Sequence, residues 1–187
     1  VAVVAPGRHE AEDLREAHML LSPLWFRVLP GPTAATAFEI AGWDIASEQA
    51  QWGQQAIAEF CVEERCGDGP DLLPHFSFEG FARLPALRAV LEEPLPLAAE
   101  IAVICERGSY QGIVLDVRLA LFPTLKVLLP RLVKELRRAL QAGGRRLILS
   151  VPAPLPGQTK GPDFDAEDAA AVAGDVDAVI VGTRDLS

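Results

Sequence analysis

The chain has 187 residues, 50% of them hydrophobic and 23% charged, with a formal net charge of −9. That length fits one domain with room for a sizeable core, and the acidic balance argues against a nucleic-acid partner, whose phosphates call for clustered Lys and Arg. No apolar stretch has the length of a membrane span, so membrane insertion is not expected.

In chain order, short β-like runs alternate with amphipathic helical stretches, the pattern of a parallel α/β fold. Val1 to Val4 is an apolar run, followed by a polar helical candidate from His9 to His18. Leu20 to Leu29 reads as a strand. A Pro/Gly/Thr loop then leads to Phe38-Glu-Ile40, a small extra strand. Ser47 suits the N-cap of a helix running to about Cys66, with Trp52, Ala56 and Phe60 on one face. Asp71 to Phe78 is the next strand, and Leu84 to Arg107 is helical, interrupted at Pro94 and Pro96.

Ile113 to Val117 is nearly all β-branched and leucine, as suits a strand buried on both faces. Arg131 to Leu140 is the clearest helix: Leu129, Leu132, Val133, Leu136, Ala139 and Leu140 share a stripe, Gly143-Gly144 ends it, and its basic residues read as the solvated face. Leu147 to Val151 is a strand leading into a Pro/Gly-rich loop. Asp165 with Asp168 has the spacing of an acidic capping box for a short Ala-rich helix, and Val179 to Val181 is a last strand.

Six β/α units in one chain make three quarters of an eightfold barrel, which typically takes about 250 residues. A Rossmann-like sheet is the structural alternative, although the first turn, Pro6-Gly7-Arg8, lacks G-x-G-x-x-G and no P-loop signature occurs. The chain is read as one partial barrel domain over residues 1–187. The three cysteines, Cys61, Cys66 and Cys105, fit one disulfide with a free thiol or three buried thiols, the second favoured. They are too few for a zinc site, and no cofactor is called for. No signal peptide is visible within the sequence.

The segment Tyr110-Gln-Gly-Ile-Val-Leu-Asp-Val-Arg118 resembles the D-G-x-D-x-D-x-E motif that family 18 glycoside hydrolases, the chitinases, carry on the fourth strand of a (β/α)8 TIM barrel. Gly112 matches the glycine and Asp116 the last aspartate. Gln111 stands for the first aspartate, Val114 for the second and Arg118 for the catalytic glutamate. Supporting likenesses follow in order: Ser22-Pro-Leu-Trp25, Pro74-His-Phe-Ser-Phe-Glu79, Val151-Pro-Ala-Pro154, and Asp177 to Ser187 against D-G-x-x-x-M-T-Y-D-Y-S. The last places Arg184 at the tyrosine and Asp185 at the aspartate after it. The branch these marks resemble is that of the chitinase-domain-containing, stabilin-interacting chitinase-like proteins, which are secreted and lysosomal and also lack the catalytic glutamate.

The resemblance implies what such a site needs. Family 18 hydrolysis is substrate-assisted: a glutamic acid protonates the glycosidic oxygen while the substrate's acetamide attacks. Side chains on a strand share a face every second residue, so Val114, Asp116 and Arg118 should point together into the barrel mouth. Arginine stays protonated and cannot deliver a proton at neutral pH. The expectation is a lectin-like pseudoenzyme that binds a chitooligosaccharide or related glycan at the C-terminal mouth, with Trp25, Glu79 and Asp116 as candidate contacts.

Plainer readings stand beside each of these. Asp116 reads equally well as an ion-pair partner of Arg118 or Arg184, Glu79 as an exposed loop carboxylate, Trp25 and Trp43 as barrel-lining or interface residues, and His75 as a satisfied core histidine. A scaffolding subunit that binds no sugar is the second function class, and a hydrolase using Glu79 as its acid the third. With strand six the last in this sequence, the edges of strands one and six would be open unless further chain or a protein partner covers them.

Overall fold

The structure, a computed structural model, describes residues 20–22, 24–32, 37–42, 71–81, 84–117, 123–152 and 164–182. The apolar run Val1 to Val4 and the expected helices His9 to His18 and Ser47 to Cys66 lie outside the described residues. Eight strands are described: β1 (Leu20–Leu21), β2 (Leu24–Pro30), β3 (Phe38–Gly42), β4 (Asp71–Leu72), β5 (His75–Phe78), β6 (Gly112–Asp116), β7 (Arg146–Pro152) and β8 (Ala178–Gly182). The helices are α1 (Leu84–Glu92), α2 (Leu95–Arg107), α3 (Leu129–Gln141) and α4 (Ala166–Val172), with a 3-10 turn at Pro123–Leu128 before α3.

The main sheet runs β3-β2-β5-β6-β7-β8. Every pairing from β2 to β8 is parallel, and β3 joins β2 antiparallel as the small extra strand. Parallel strands laid down in chain order, with no reversal, make an arc of a barrel and not a doubly wound sheet, whose order reverses at a switch point. The core agrees. Ile113, Leu115, Val117, Leu147, Leu149 and Val151 share one large cluster with the buried residues of α1, α2 and α3. The alternate strand residues Val114 and Ile148 form a separate small cluster with Leu73, against which Ile180 packs. Among the described residues, helices cover one face of the sheet only, so the second cluster marks the lumen.

Two strands expected to be continuous are each broken in two. Leu20↔Asp71, Leu21↔Leu72 and Leu24↔His75 keep one register, so β1/β4 and β2/β5 are one pair of strands, interrupted between Leu21 and Leu24 on one side and between Leu72 and His75 on the other. The second gap holds Pro74, which has no N–H to give the ladder. The Pro74 carbonyl still accepts from Val114 N–H at 3.0 Å, so the ladder towards β6 runs on across the gap. Gln111 holds the same region from below. Its N–H donates to Leu72 O at 3.1 Å, and its side-chain Oε1 accepts from Leu72 N–H at 2.8 Å.

Prolines also set the helix starts. Leu84-Pro85, Leu95-Pro96 and Leu129-Pro130 each place proline at the second helical residue, where its missing N–H is not needed. Pro94 therefore divides the expected Leu84 to Arg107 helix, whereas Pro96 opens α2 instead of interrupting it. On α3, Leu129, Leu132, Val133, Leu136 and Leu140 are buried as the stripe predicts, and Ala139 packs at the edge. Arg145 N–H returns to Leu140 O at 3.1 Å through Gly144, whose φ of +64° suits glycine. The capping box at α4 is formed: Asp165 accepts from the N–H groups of Glu167 and Asp168, and the Asp168 carboxylate accepts from Asp165 N–H at 3.0 Å.

Candidate functional site

The lumen face of the arc is graded from apolar to polar. Leu73, Val114 and Ile148 fill the lower level. One step towards the strand C-termini, register aligns Arg27, Ser77, Asp116, Ser150 and Ile180 across five strands. Ser77 and Asp116 are the buried polar residues among those described, each 8% exposed. Barrel active sites are built at this C-terminal end.

Asp116 lies two residues beyond Val114 and so shares its face, while Val117 faces the helices. His75 approaches from β5, its Nε2 3.5 Å from Asp116 Oδ2. That separation is longer than a charge-assisted hydrogen bond, and Nε2 is buried without a hydrogen-bond partner. The expectation of a satisfied core histidine is thus corrected: the imidazole packs beside a carboxylate with one nitrogen unmet.

Glu79 follows β5 directly. Its N–H donates to Val28 O at 3.0 Å, extending the pairing with β2, and Gly80 turns the chain with a φ of +72°. Its Oε1 accepts from the Ser77 hydroxyl at 2.9 Å, and Oε2 lies 4.0 Å from Arg27 Nη1. Glu79 is therefore tied to the lumen row rather than loose in a loop, although its side chain remains 43% exposed.

Gly112 has a steric reason to be glycine. It sits opposite Arg146, and an added Cβ would stand 2.3 Å from the Arg146 carbonyl oxygen. Gln111, at the first motif position, faces the backbone of β4 rather than the mouth. The backbone of Trp25 is the extra residue of a bulge: Leu24↔His75 is followed by Phe26↔Phe76. Bulges are over-represented beside active sites. The Trp25 side chain, Trp43, Arg118, Arg184 and Asp185 lie outside the described residues.

Away from the lumen, ion pairs brace the scaffold. Arg137 holds Asp177 through two bonds of 2.7 and 2.9 Å, and Asp177 Oδ2 accepts from Leu147 N–H at 2.7 Å. Burial alone would raise the Asp177 carboxyl, but the bonds from Arg137 and Leu147 and the charges of Arg137 and Arg146 outweigh it and hold it below its usual range. Lys126 reaches Asp168 at 2.6 Å, and Arg146 pairs with Asp71. Cys105 is a free, buried thiol, pushed up to about 12 by burial. Cys61 and Cys66 lie outside the described residues. Among the described residues no cluster of His, Cys, Asp or Glu is arranged to hold a metal ion, and no helix is long and apolar enough to cross a membrane.

No family model and no curated protein sequence matches the chain. Solved structures do. A chitinase from Chromobacterium violaceum superposes with a TM-score of 0.64 at 16% identity, over 94% of this chain and 51% of its own. A class V chitinase from Pseudomonas fluorescens gives 0.61 at 20% identity, over 94% and 49%. A family 18 chitinase from Pseudoalteromonas aurantia gives 0.60 at 18% identity, over 90% and 62%. The chain spans roughly half the length of these relatives, and over that span it has the fold of the family 18 chitinases.

Proposed function

We propose that this chain binds a chitooligosaccharide or related glycan at the C-terminal mouth of the barrel and does not hydrolyse it, in the manner of the stabilin-interacting chitinase-like branch. The observation that supports it most is Asp116: a buried carboxylate in the lumen row, with Ser77 and Ser150 beside it in register. Such a group accepts hydrogen bonds from sugar hydroxyl or amide groups, and Glu79 on the same side extends the acceptor surface. Arg118 and Arg184 occupy the motif positions of the proton donor and its supporting tyrosine, and a guanidinium does not donate its proton at neutral pH. General acid catalysis is typically worth about 10²–10⁴ in rate, so its loss removes the family's chemistry. Secretion or delivery to lysosomes belongs to the same proposal.

The test is incubation with N-acetylglucosamine oligomers. No reducing ends above a buffer blank are expected. Release that disappears in Glu79→Ala would assign Glu79 as an acid and overturn the non-hydrolytic reading.

A scaffold that binds partner proteins and no sugar is the second reading. Its support is on α2, where Leu95 and Val103, 62% and 43% exposed, fall on one helical stripe. Chemical cross-linking of the full chain in its native extract distinguishes the two: a partner captured through α2, together with absent sugar binding, favours the scaffold.

A further inference from the structure

We propose that His75 and Asp116 work as one pH-operated unit in the lumen, in which protonation of His75 draws the Asp116 carboxylate into a direct bond and withdraws it from a bound sugar. The proposal rests on the glycan-binding reading and adds its regulation. Its basis is geometric. Nε2 of His75 is buried and lacks a hydrogen-bond partner, yet Oδ2 of Asp116 lies only 3.5 Å away. The two side chains are 15% and 11% exposed, so little water screens them.

A neutral imidazole carries one N–H, and a protonated one carries two. The second proton guarantees a donor on Nε2 facing the carboxylate. Charge-assisted N–H···O⁻ bonds settle at about 2.7–2.9 Å, so closing the gap takes a side-chain movement of about 0.7 Å. Among the described residues the neighbouring charges leave Asp116 as the partner of His75. From β2 comes Arg27 and from β5 itself Glu79, and these two already face one another at 4.0 Å. In the same row β7 offers Ser150 and β8 Ile180, neither charged. Asp116 has a further interaction of its own, so what changes with pH is the share of Oδ2 left to a ligand. Binding should therefore weaken as the medium acidifies.

The experiment is calorimetric titration of an N-acetylglucosamine oligomer into wild type and His75→Gln at about pH 7.5 and about pH 5, ends of the window in which imidazole titrates. Near-ultraviolet circular dichroism checks the fold at each pH. Wild-type affinity is expected to fall about tenfold at the lower pH, the scale of one lost bond to a charged group. His75→Gln, which cannot take up the proton, should bind with the same affinity at both. His75→Asn serves the same purpose if the glutamine does not fold. Wild-type binding that ignores pH, or a full acid loss retained in the variants, overturns the proposal alone. Absence of binding at either pH overturns the glycan reading and the switch with it.

Discussion

Gly112 meets Arg146 backbone to backbone: a Cβ on the glycine would stand 2.3 Å from the Arg146 carbonyl oxygen and 2.8 Å from its nitrogen. The contact sits at the first register pair of β6 with β7, four residues before Asp116. A methyl group there cannot be absorbed by a flexible side chain, because the obstacle is main chain.

Gly112→Ala should therefore destabilise the fold by about 2 kcal/mol, the middle of the range for overpacking a close contact. Urea unfolding of the two proteins measures it. A midpoint equal to wild type would mean that β6 and β7 separate easily, and the register carrying Asp116 would then be less firmly set than the geometry implies.

Asp177 joins α3 to the start of β7 through Arg137 and the Leu147 N–H. Its carboxyl is held below the ordinary range, so its contribution is present above the unfolded aspartate value of about 3.9 and is lost as pH falls through the folded one. Asp177→Asn is expected to lose about 1 kcal/mol at neutral pH, a modest figure because the pair is partly exposed. The difference from wild type should shrink below about pH 4. Thermal melts of both proteins across acid pH test the sign: a gap that widens on acidification contradicts it.

Cys105 is fully buried in the core cluster, and burial raises its thiol to about 12. Since the thiolate is the nucleophile, Cys105 should resist iodoacetamide at about pH 8 in the folded protein and react once the chain is unfolded. Peptide mass spectrometry reads this directly. Rapid labelling of the native protein would show that α2 opens far more readily than its packing suggests.

Much of this architecture is legible in the sequence because it depends on local pattern. The α3 stripe, the Asp165 capping box and the apolar runs of β6 and β7 each follow from spacing along one segment. The break at Pro74 is half legible: proline announces a missing donor, but only the pairing of the two strands shows that it lies opposite the gap between β1 and β2. The bulge at Trp25 and the row Arg27, Ser77, Asp116, Ser150 are not legible, because register is a relation between segments far apart in the chain. Ser77 and Ser150 therefore escape notice as site residues. The signal available for them is parity, since each shares a strand face with a lumen residue two positions earlier, His75 and Ile148 respectively. The unmet nitrogen of His75 has no sequence signal, because satisfaction of a buried group depends on what tertiary packing brings within reach.

Sugar binding by Asp116 at the barrel mouth is read out by calorimetric titration of an N-acetylglucosamine oligomer into wild type and Asp116→Ala. Lectin-like binding without covalent chemistry should fall on the micromolar to millimolar scale, about −8 to −4 kcal/mol. Removing a hydrogen bond to a charged group costs about 1.5–3 kcal/mol, so Asp116→Ala should bind at least about tenfold more weakly while its circular dichroism spectrum stays that of wild type. A wild-type protein that gives no saturable heat at millimolar sugar, or an Asp116→Ala variant that binds as tightly as wild type, would rule out sugar binding through Asp116.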